Sequence, residues 1–348
     1  MTDVSVIILN FNGKRYLKDC LDSVLNQNYN NFKIILIDNG SSDGSIEFVR
    51  QRYNDEKLKL YSADKNLGFA GGNNYGLKFC EGDFIVLLNN DVTVERNWLS
   101  ELVNAFEKHE NAGLVQSLIL TEGIPERYYR KNGTVNFLGH NIMEVFDIDE
   151  YGNGEIFLAS GASVIFNINI LISKDTIFPD EYFLYSEDTY LSFLSKFSGK
   201  KNYHTSGSVV HHKGCGTTGK EKSETSVFYQ ERNRILNFLI FFRISVLIRL
   251  IPYHIINIIL KLLISLVPGK YSFTGIIKSY WWIVTNPAWI ISQRKKIKKM
   301  KTANDKDVLN FLSCKLFNGN NILEKIVNYI SEAYCFITGL RTVEFNKK

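Results

Sequence analysis

Cysteine is scarce in this chain of 348 residues and follows no pattern. Cys20, Cys80, Cys215, Cys314 and Cys335 form no C-x-x-C pair and no metal-ligand spacing, so neither a disulfide framework nor a zinc module is expected, and a reducing compartment is. Proline numbers only 5 and charged residues make up 22%, against 45% hydrophobic. A disordered or collagen-like polymer is excluded, because there is ample apolar material to bury. The N-terminal Met1-Thr2-Asp3-Val4-Ser5 lacks the basic and long apolar regions of a signal peptide, so a cytoplasmic start is expected. Long uncharged runs are missing too. Within 241–348 the longest are 250–260 and 279–293, below the ~20 residues a membrane-spanning helix needs.

What is present is divided unevenly. Residues 1–240 hold 24 Lys/Arg against 31 Asp/Glu, whereas residues 241–348 hold 17 against 5. An acidic front and a basic, aromatic, aliphatic back suggest a soluble domain joined to a part that meets an anionic surface. The basic residues sit among aliphatic runs rather than in a polar groove-reading helix. A membrane surface is therefore expected, and nucleic acid is not.

The front part alternates short apolar strands with amphipathic helices. Strands are expected at 4–9, 32–37, 58–61 and 84–89, and helices at 15–28, 46–53 and 95–109. Leu17, Leu21, Val24 and Leu25 supply the helical spacing in the first helix. This alternation calls for a largely parallel α/β sheet, whose ligands bind at the carboxyl ends of the strands. The polar clusters of the sequence fall at those ends.

Val4-Ser5-Val6-Ile7-Ile8-Leu9-Asn10-Phe11-Asn12, Ile37-Asp38-Asn39-Gly40-Ser41-Ser42-Asp43, Asn66-Leu67-Gly68-Phe69-Ala70-Gly71-Gly72-Asn73-Asn74, Leu87-Leu88-Asn89-Asn90-Asp91 and Phe183-Leu184-Tyr185-Ser186-Glu187-Asp188 resemble, in order, the motifs of glycosyltransferase family 2, and most nearly its rhamnosyltransferase-like branch. The resemblance covers about residues 3–240. It implies a GT-A (Rossmann-like) catalytic domain over 1–240, with a nucleotide-sugar half at about 1–120 and an acceptor half at about 121–240. The implied reaction is an inverting, metal-dependent transfer from a nucleoside-diphosphate sugar, dTDP-rhamnose first and UDP-hexoses next, to a saccharide acceptor in cell-surface glycan synthesis.

The resemblance also distributes roles. Asp38 would accept a hydrogen bond from a pyrimidine base, since Asp43, just before the next helix, is the better cap for it; a turn aspartate is the plain alternative. Asn10, Phe11, Asn12, Asp64 and Asn90 would join the donor pocket, Phe11 either stacking on the base or filling the core. Gly71 and Asn73 lie in a glycine-rich stretch without the Lys-Ser/Thr of a P-loop; it would bring a helix start, with its N–H groups and dipole, close to sugar or diphosphate. Asp91 follows an apolar strand and would hold Mg2+ or Mn2+, or else merely cap a helix. The family's usual Asp-x-Asp begins here with Asn89, which leaves Asp91 as the principal carboxylate. His212, with Thr217 five positions on, is the second metal or diphosphate ligand, and His211 the reserve. Glu187 and Asp188 would supply the general base a neutral hydroxyl nucleophile requires, Asp188 as base and Glu187 orienting the acceptor, although acids at a helix start also favour the dipole. Ser160-Gly161-Ala162-Ser163 resembles the family's acceptor-side segment, and 228–234 its closing motif, where Arg232 and Arg234 would meet either phosphate or solvent.

Residues 241–301 are expected to be amphipathic, interfacial helices. Pro252 and Pro287 interrupt them, Trp281, Trp282 and Trp289 anchor them, and the basic run 294–301 meets anionic headgroups at about 1 kcal/mol per residue. This gives a peripheral attachment at the cytoplasmic membrane face and a lipid-linked acceptor. A helical hairpin packed on the domain, or a homo-oligomer contact, is the alternative. Residues 302–348 read as short helices of no assigned purpose. A sugar nucleotidyltransferase competes as an enzyme, but Asn10-Phe11-Asn12-Gly13-Lys14 is a poor version of its basic loop. A non-catalytic sugar-nucleotide-binding scaffold competes as a binding protein.

Overall fold

The computed structural model describes residues 3–122, 128–147, 154–214, 223–267, 269, 271–317 and 321–346. Cys215 and Thr217 lie outside them. The strands are β1 (Val4–Asn10), β2 (Phe32–Asp38), β3 (Leu58–Ser62), β4 (Phe84–Asn89), β5 (Val92–Val94), β6 (Ala112–Thr121), β7 (Tyr128–Val135), β8 (Asn141–Asp147), β9 (Gly154–Ile156), β10 (Ser163–Asn167) and β11 (Lys201–His212). In the front part the helices are α1 (Lys14–Leu25), α2 (Ser45–Arg52), α3 (Gly68–Leu77), α4 (Trp98–Glu107) and α5 (Glu187–Phe197). The rest follow as α6 (Glu224–Phe241), α7 (Ile244–Ser265), α8 (Phe273–Thr285), α9 (Pro287–Met300), α10 (Asp305–Leu309), α11 (Ile322–Thr338) and α12 (Val343–Asn346).

The main sheet runs β3-β2-β1-β4-β10-β6-β11-β5, with β9 paired to β11. Its first four strands are parallel, as the alternation requires. Beyond β4 the sheet is mixed. β10 is antiparallel to both β4 and β6, β11 returns parallel to β6, and β5 and β9 run antiparallel to β11. Because side chains alternate across a strand, a sheet covered on both faces needs apolar residues at every position. Ile7, Ile35, Ile37, Ile85 and Leu87 enter one core; Val6, Ile8, Ile34, Leu36, Val86 and Leu88 enter the other, with Leu17, Leu21 and Val24 of α1.

The first of these cores does not stop at residue 240. It continues through Phe241, Phe242, Val246 and Leu250 to Ile297, Leu309, Cys335 and Leu340, so the C-terminal helices share the catalytic part's interior. Pro287 interrupts the helices as expected: α8 ends at Thr285 and Pro287 starts α9, where its missing N–H costs nothing. Two details depart from the sequence reading. Pro252 lies inside α7 without ending it. The polar stripe Tyr253, Asn257 and Lys261 of α7 faces the protein, not water.

Candidate active site

A cleft of about 490 Å³ opens at the carboxyl ends of β1 and β4. In it meet Phe11, Asn12, Asn90, Asp91, Glu187, Asp188 and His212, together with Ser160, Gly161 and Ala162.

One wall of the cleft rests on a buried amide chain. Asn90 Nδ2 donates to Asn10 Oδ1 at 2.8 Å, and Asn10 Nδ2 donates to Asp38 Oδ1 at 3.1 Å. The second Asp38 oxygen accepts from the Ser41 N–H at 3.0 Å. Asn10 and Asp38 are thus fully buried beneath the cleft, where they fix Asn90 and the 38–42 turn rather than lining the cavity. Asn12, held at φ 50, accepts from the Ser42 N–H at 2.8 Å. Gly13 has no room for a side chain: a Cβ there would stand 2.2 Å from Asn90 Nδ2. Asp64 is exposed beyond the end of β3 and outside the cleft lining. Gly44, not Asp43, is the N-cap of α2; Asp43, one residue earlier, accepts from the Ser45 and Lys14 N–H groups at 3.1 and 2.8 Å and so ties the starts of α2 and α1 together.

The glycine-rich stretch forms α3. Three of its N-terminal groups are already satisfied: the Leu67 N–H by Asn39, the Gly68 N–H by Asn66 and the Ala70 N–H by the Phe183 carbonyl. The helix start therefore grips the 183–186 loop. Gly68, at φ +72, approaches Phe183 so closely that a Cβ would meet its carbonyl oxygen at 2.3 Å. Gly71 and Asn73 do not line the cleft; Asn73 Nδ2 donates to Phe69 O within its own helix.

Asp91 and His212 come together because β5 and β11 pair beside them, His212 opposite Val92. The Asp91 carbonyl accepts from the Lys213 N–H, and its Oδ1 lies 3.2 Å from His212 Nε2. Strand alternation turns His211 the other way, onto exposed Glu95 at 2.9 Å. An oxygen and an imidazole nitrogen at this spacing match neighbouring ligands on one cation bonded at about 2.0–2.1 Å. The pair fits Mg2+ or Mn2+ provided phosphate oxygens and water complete the shell, since no group of three or more His, Cys, Asp or Glu suited to a metal occurs among the described residues.

Glu187 and Asp188 open α5 behind a strained loop. Phe183, Tyr185 and Ser186 all have positive φ, at 54, 73 and 66, a conformation tolerated only where the surroundings enforce it. Here α6 does so. Asn233 Nδ2 lies within 2.8–2.9 Å of the carbonyls of Tyr182, Leu184 and Tyr185, Asn237 donates to Ser186 O, and Arg232 donates to Glu181 O. Sequence reasoning missed this clamp, because Gln230-Glu231-Arg232-Asn233-Arg234 reads as a solvated helix face. Arg232 and Arg234 are in fact buried, Arg234 pairing with Glu231, and neither lines the cleft. Asn233→Ala strands buried carbonyls at about 1–3 kcal/mol each. We expect a lower unfolding midpoint together with reduced turnover; wild-type values for both would dismiss the clamp.

The two carboxyls differ in setting. Glu187 is only 5% exposed, its Oε1 has no hydrogen-bond partner, and burial followed by repulsion from Asp188 pushes its pKa up to about 8. Asp188 is also raised by burial, but the N–H groups of Gly161 and Thr189 oppose the rise. Burial thus raises Glu187 the further of the two, so that near neutral pH Glu187 holds a proton, the kind of difference in setting that distinguishes acid from base in a pair. Because the folded pKa of Glu187 exceeds its ordinary 4.5, its contribution to stability is full below that value and lost as pH rises through about 8. Glu187→Gln should therefore gain on the wild type between about pH 5 and pH 8, by at most about 1.4 kcal/mol per unit. Denaturant titrations with a constant difference would refute the assignment.

Tyr16 and Phe69 also line the cleft; Phe69 lies in the glycine-rich motif with no role assigned to it, and Tyr16 lies in none of the motifs. A sheet with one antiparallel strand in its centre and a cleft at the parallel strand ends is of the GT-A type. Residues 5–172 match the family model "Glycosyl transferase family 2". A Haemophilus influenzae protein named as an uncharacterized glycosyltransferase is 28% identical over 65% of this chain and 74% of its own length. The Bacillus subtilis minor teichoic acid biosynthesis protein GgaB is 32% identical over 31% of this chain and only 12% of its own. Among solved structures, S. aureus TarS in complex with UDP superposes with a TM-score of 0.51 at 17% identity, over 97% of this chain and 89% of that one. Residues 5–172, just under half of the chain, carry a glycosyltransferase family 2 domain, and the chain is a transferase of the GT-A fold.

Proposed function

We propose that the protein transfers a sugar, with inversion, from a nucleoside-diphosphate sugar to a saccharide hydroxyl, in a metal-assisted step of cell-surface glycan synthesis. One observation carries this reading: a single cleft holds both the Asp91–His212 pair and the Glu187–Asp188 pair. Phe11, Asn12 and Asn90 face the donor, and Asn10 and Asp38 brace them from below. Asp91 and His212 would hold the divalent cation, Mg2+ or Mn2+, which neutralises charge on the departing diphosphate. Asp188 takes the proton of the acceptor hydroxyl as its oxygen attacks the anomeric carbon and the bond to the diphosphate breaks. Protonated Glu187 stays neutral beside it, which spares the site a second adjacent negative charge. No second acid is required for a diphosphate leaving group, unlike the paired carboxylates of a glycosidase.

The sugar rests on the resemblance of the motifs, which favours dTDP-rhamnose and then UDP-hexoses; a chain of the same fold is described with UDP. Cell-surface synthesis is supported by the similarity to GgaB, a minor teichoic acid biosynthesis protein. We further take the acceptor to be lipid-linked and the enzyme to be peripherally attached at the cytoplasmic membrane face. Thermal unfolding with a panel of sugar nucleotides and Mn2+ tests the donor class. A true donor at a hundred times its Kd adds about 2.7 kcal/mol of stability, and a panel in which none shifts the midpoint would refute it.

A further inference from the structure

The C-terminal helices are inverted relative to ordinary surface helices. In α7 the residues turned inward are Val246, Leu250, Tyr253, Asn257 and Lys261, whereas Ile248, Ile255, Ile259 and Leu263 are exposed. α11 repeats the pattern: Ser331 and Cys335 are buried, while Leu323, Ile330 and Ile337 stand 75%, 61% and 82% exposed. Every large hydrophobic side chain exposed among the described residues falls between residues 244 and 337. Scattered exposed aliphatics are normal, but a contiguous concentration marks an interaction surface.

The two helices form one unit. Tyr253 Oη lies 2.8 Å from Ser331 Oγ, Tyr334 Oη donates to the Arg249 carbonyl at 2.9 Å, and Arg249 donates to the Thr338 carbonyl at 3.0 Å. Lys261 is fixed to buried Glu231 at 2.6 Å. By length and composition α7 could cross a bilayer. Its polar stripe, however, is consumed by the protein along the helix, so α7 stays against the body and only its outer face is free.

We propose that α7 and α11 together form a monotopic surface that lies in one leaflet of an anionic bilayer, with α11 as a second lipid-contacting helix. Charge selects this occupant over a second copy of the chain. Residues 241–348 carry 17 basic against 5 acidic residues, and Lys295, Lys296, Lys298 and Lys299 are exposed on α9. Two such surfaces meeting would bring like charges together, whereas acidic headgroups complement them around an apolar insertion. Trp281, 67% exposed, extends the face onto α8; Trp282 and Trp289 instead pack against each other.

This deepens the peripheral attachment proposed above, and flotation of the full chain separates the two statements without requiring turnover. The probes are vesicles of phosphatidylcholine alone and of phosphatidylcholine mixed with phosphatidylglycerol. Wild type should float with the mixed vesicles. High salt should weaken but not abolish this, since screening shortens from about 10 Å at 0.1 M to about 3 Å at 1 M and leaves apolar insertion in place. Ile330→Glu/Ile337→Glu, at exposed positions, should lower the partition at least tenfold while thermal unfolding and monomeric sedimentation remain unchanged. Quadruple replacement of the four α9 lysines by Gln should remove the preference for the anionic vesicles. If wild type floats and the α11 variant floats equally well, α11 is no lipid contact and the inference falls alone. If wild type stays soluble, the attachment reading falls with it, and sedimentation as a dimer would then assign the face to a second copy.

Discussion

Asp188→Asn is expected to lower turnover by about 10²–10⁴-fold, the usual worth of a positioned general base, while nucleotide binding stays at the wild-type level. The split follows from geometry. Asp188 lines the cleft at the first turn of α5, whereas the donor-side residues Asn10, Asp38 and Asn90 are held by their own hydrogen bonds on β1, β2 and the exit of β4. Steady-state kinetics with a calorimetric nucleotide titration would read both quantities. Glu187→Gln should be the milder change, because the amide copies the neutral form that burial already imposes. Should Glu187→Gln prove the more damaging, the base is Glu187.

Asp91→Ala is expected to abolish transfer and the divalent-cation dependence of donor binding, with little loss of stability. Asp91 sits at a strand exit, its backbone held by Lys213 independently of the side chain, and its carboxylate pairs with His212. His212→Ala should weaken the same metal dependence less, since one carboxylate would remain to meet the cation. Donor titrations with and without Mn2+ would show this, and an Asp91→Ala enzyme with unaltered metal dependence would remove Asp91 from the site.

Much of this was legible in the sequence because Asn90, Asp91 and His212 sit at strand ends, whereas Glu187 and Asp188 open a helix. Runs such as Phe32–Asp38 and Phe84–Asn89 are apolar at nearly every position, which identifies central strands and hence the side on which ligands bind. The pairing of His212 with Asp91 could be anticipated only from the resemblance, since β11 and β5 lie more than 100 residues apart. β10 could not be read as antiparallel: Ser163–Asn167 is five residues long, and strand direction depends on partners far away in the chain. The amide clamp of Asn233 and Asn237 was illegible for another reason. Its acceptors are carbonyls of a strained loop about 50 residues upstream, and main-chain acceptors leave no mark in a side-chain pattern. The stripe of Tyr253, Asn257 and Lys261 was visible, but not that it would face a buried glutamate, because periodicity gives a face and not its neighbour.

The central claim is an inverting transfer with nucleoside diphosphate as the leaving group. The most direct test is to follow donor cleavage by the full-length enzyme with Mn2+ by nuclear magnetic resonance, using dTDP-rhamnose and UDP-hexoses and reading the anomer first formed. The account predicts release of nucleoside diphosphate and a first-formed sugar of configuration opposite to that in the donor, with both signals lost in Asp188→Asn. Retention of configuration, or release of pyrophosphate, would contradict it.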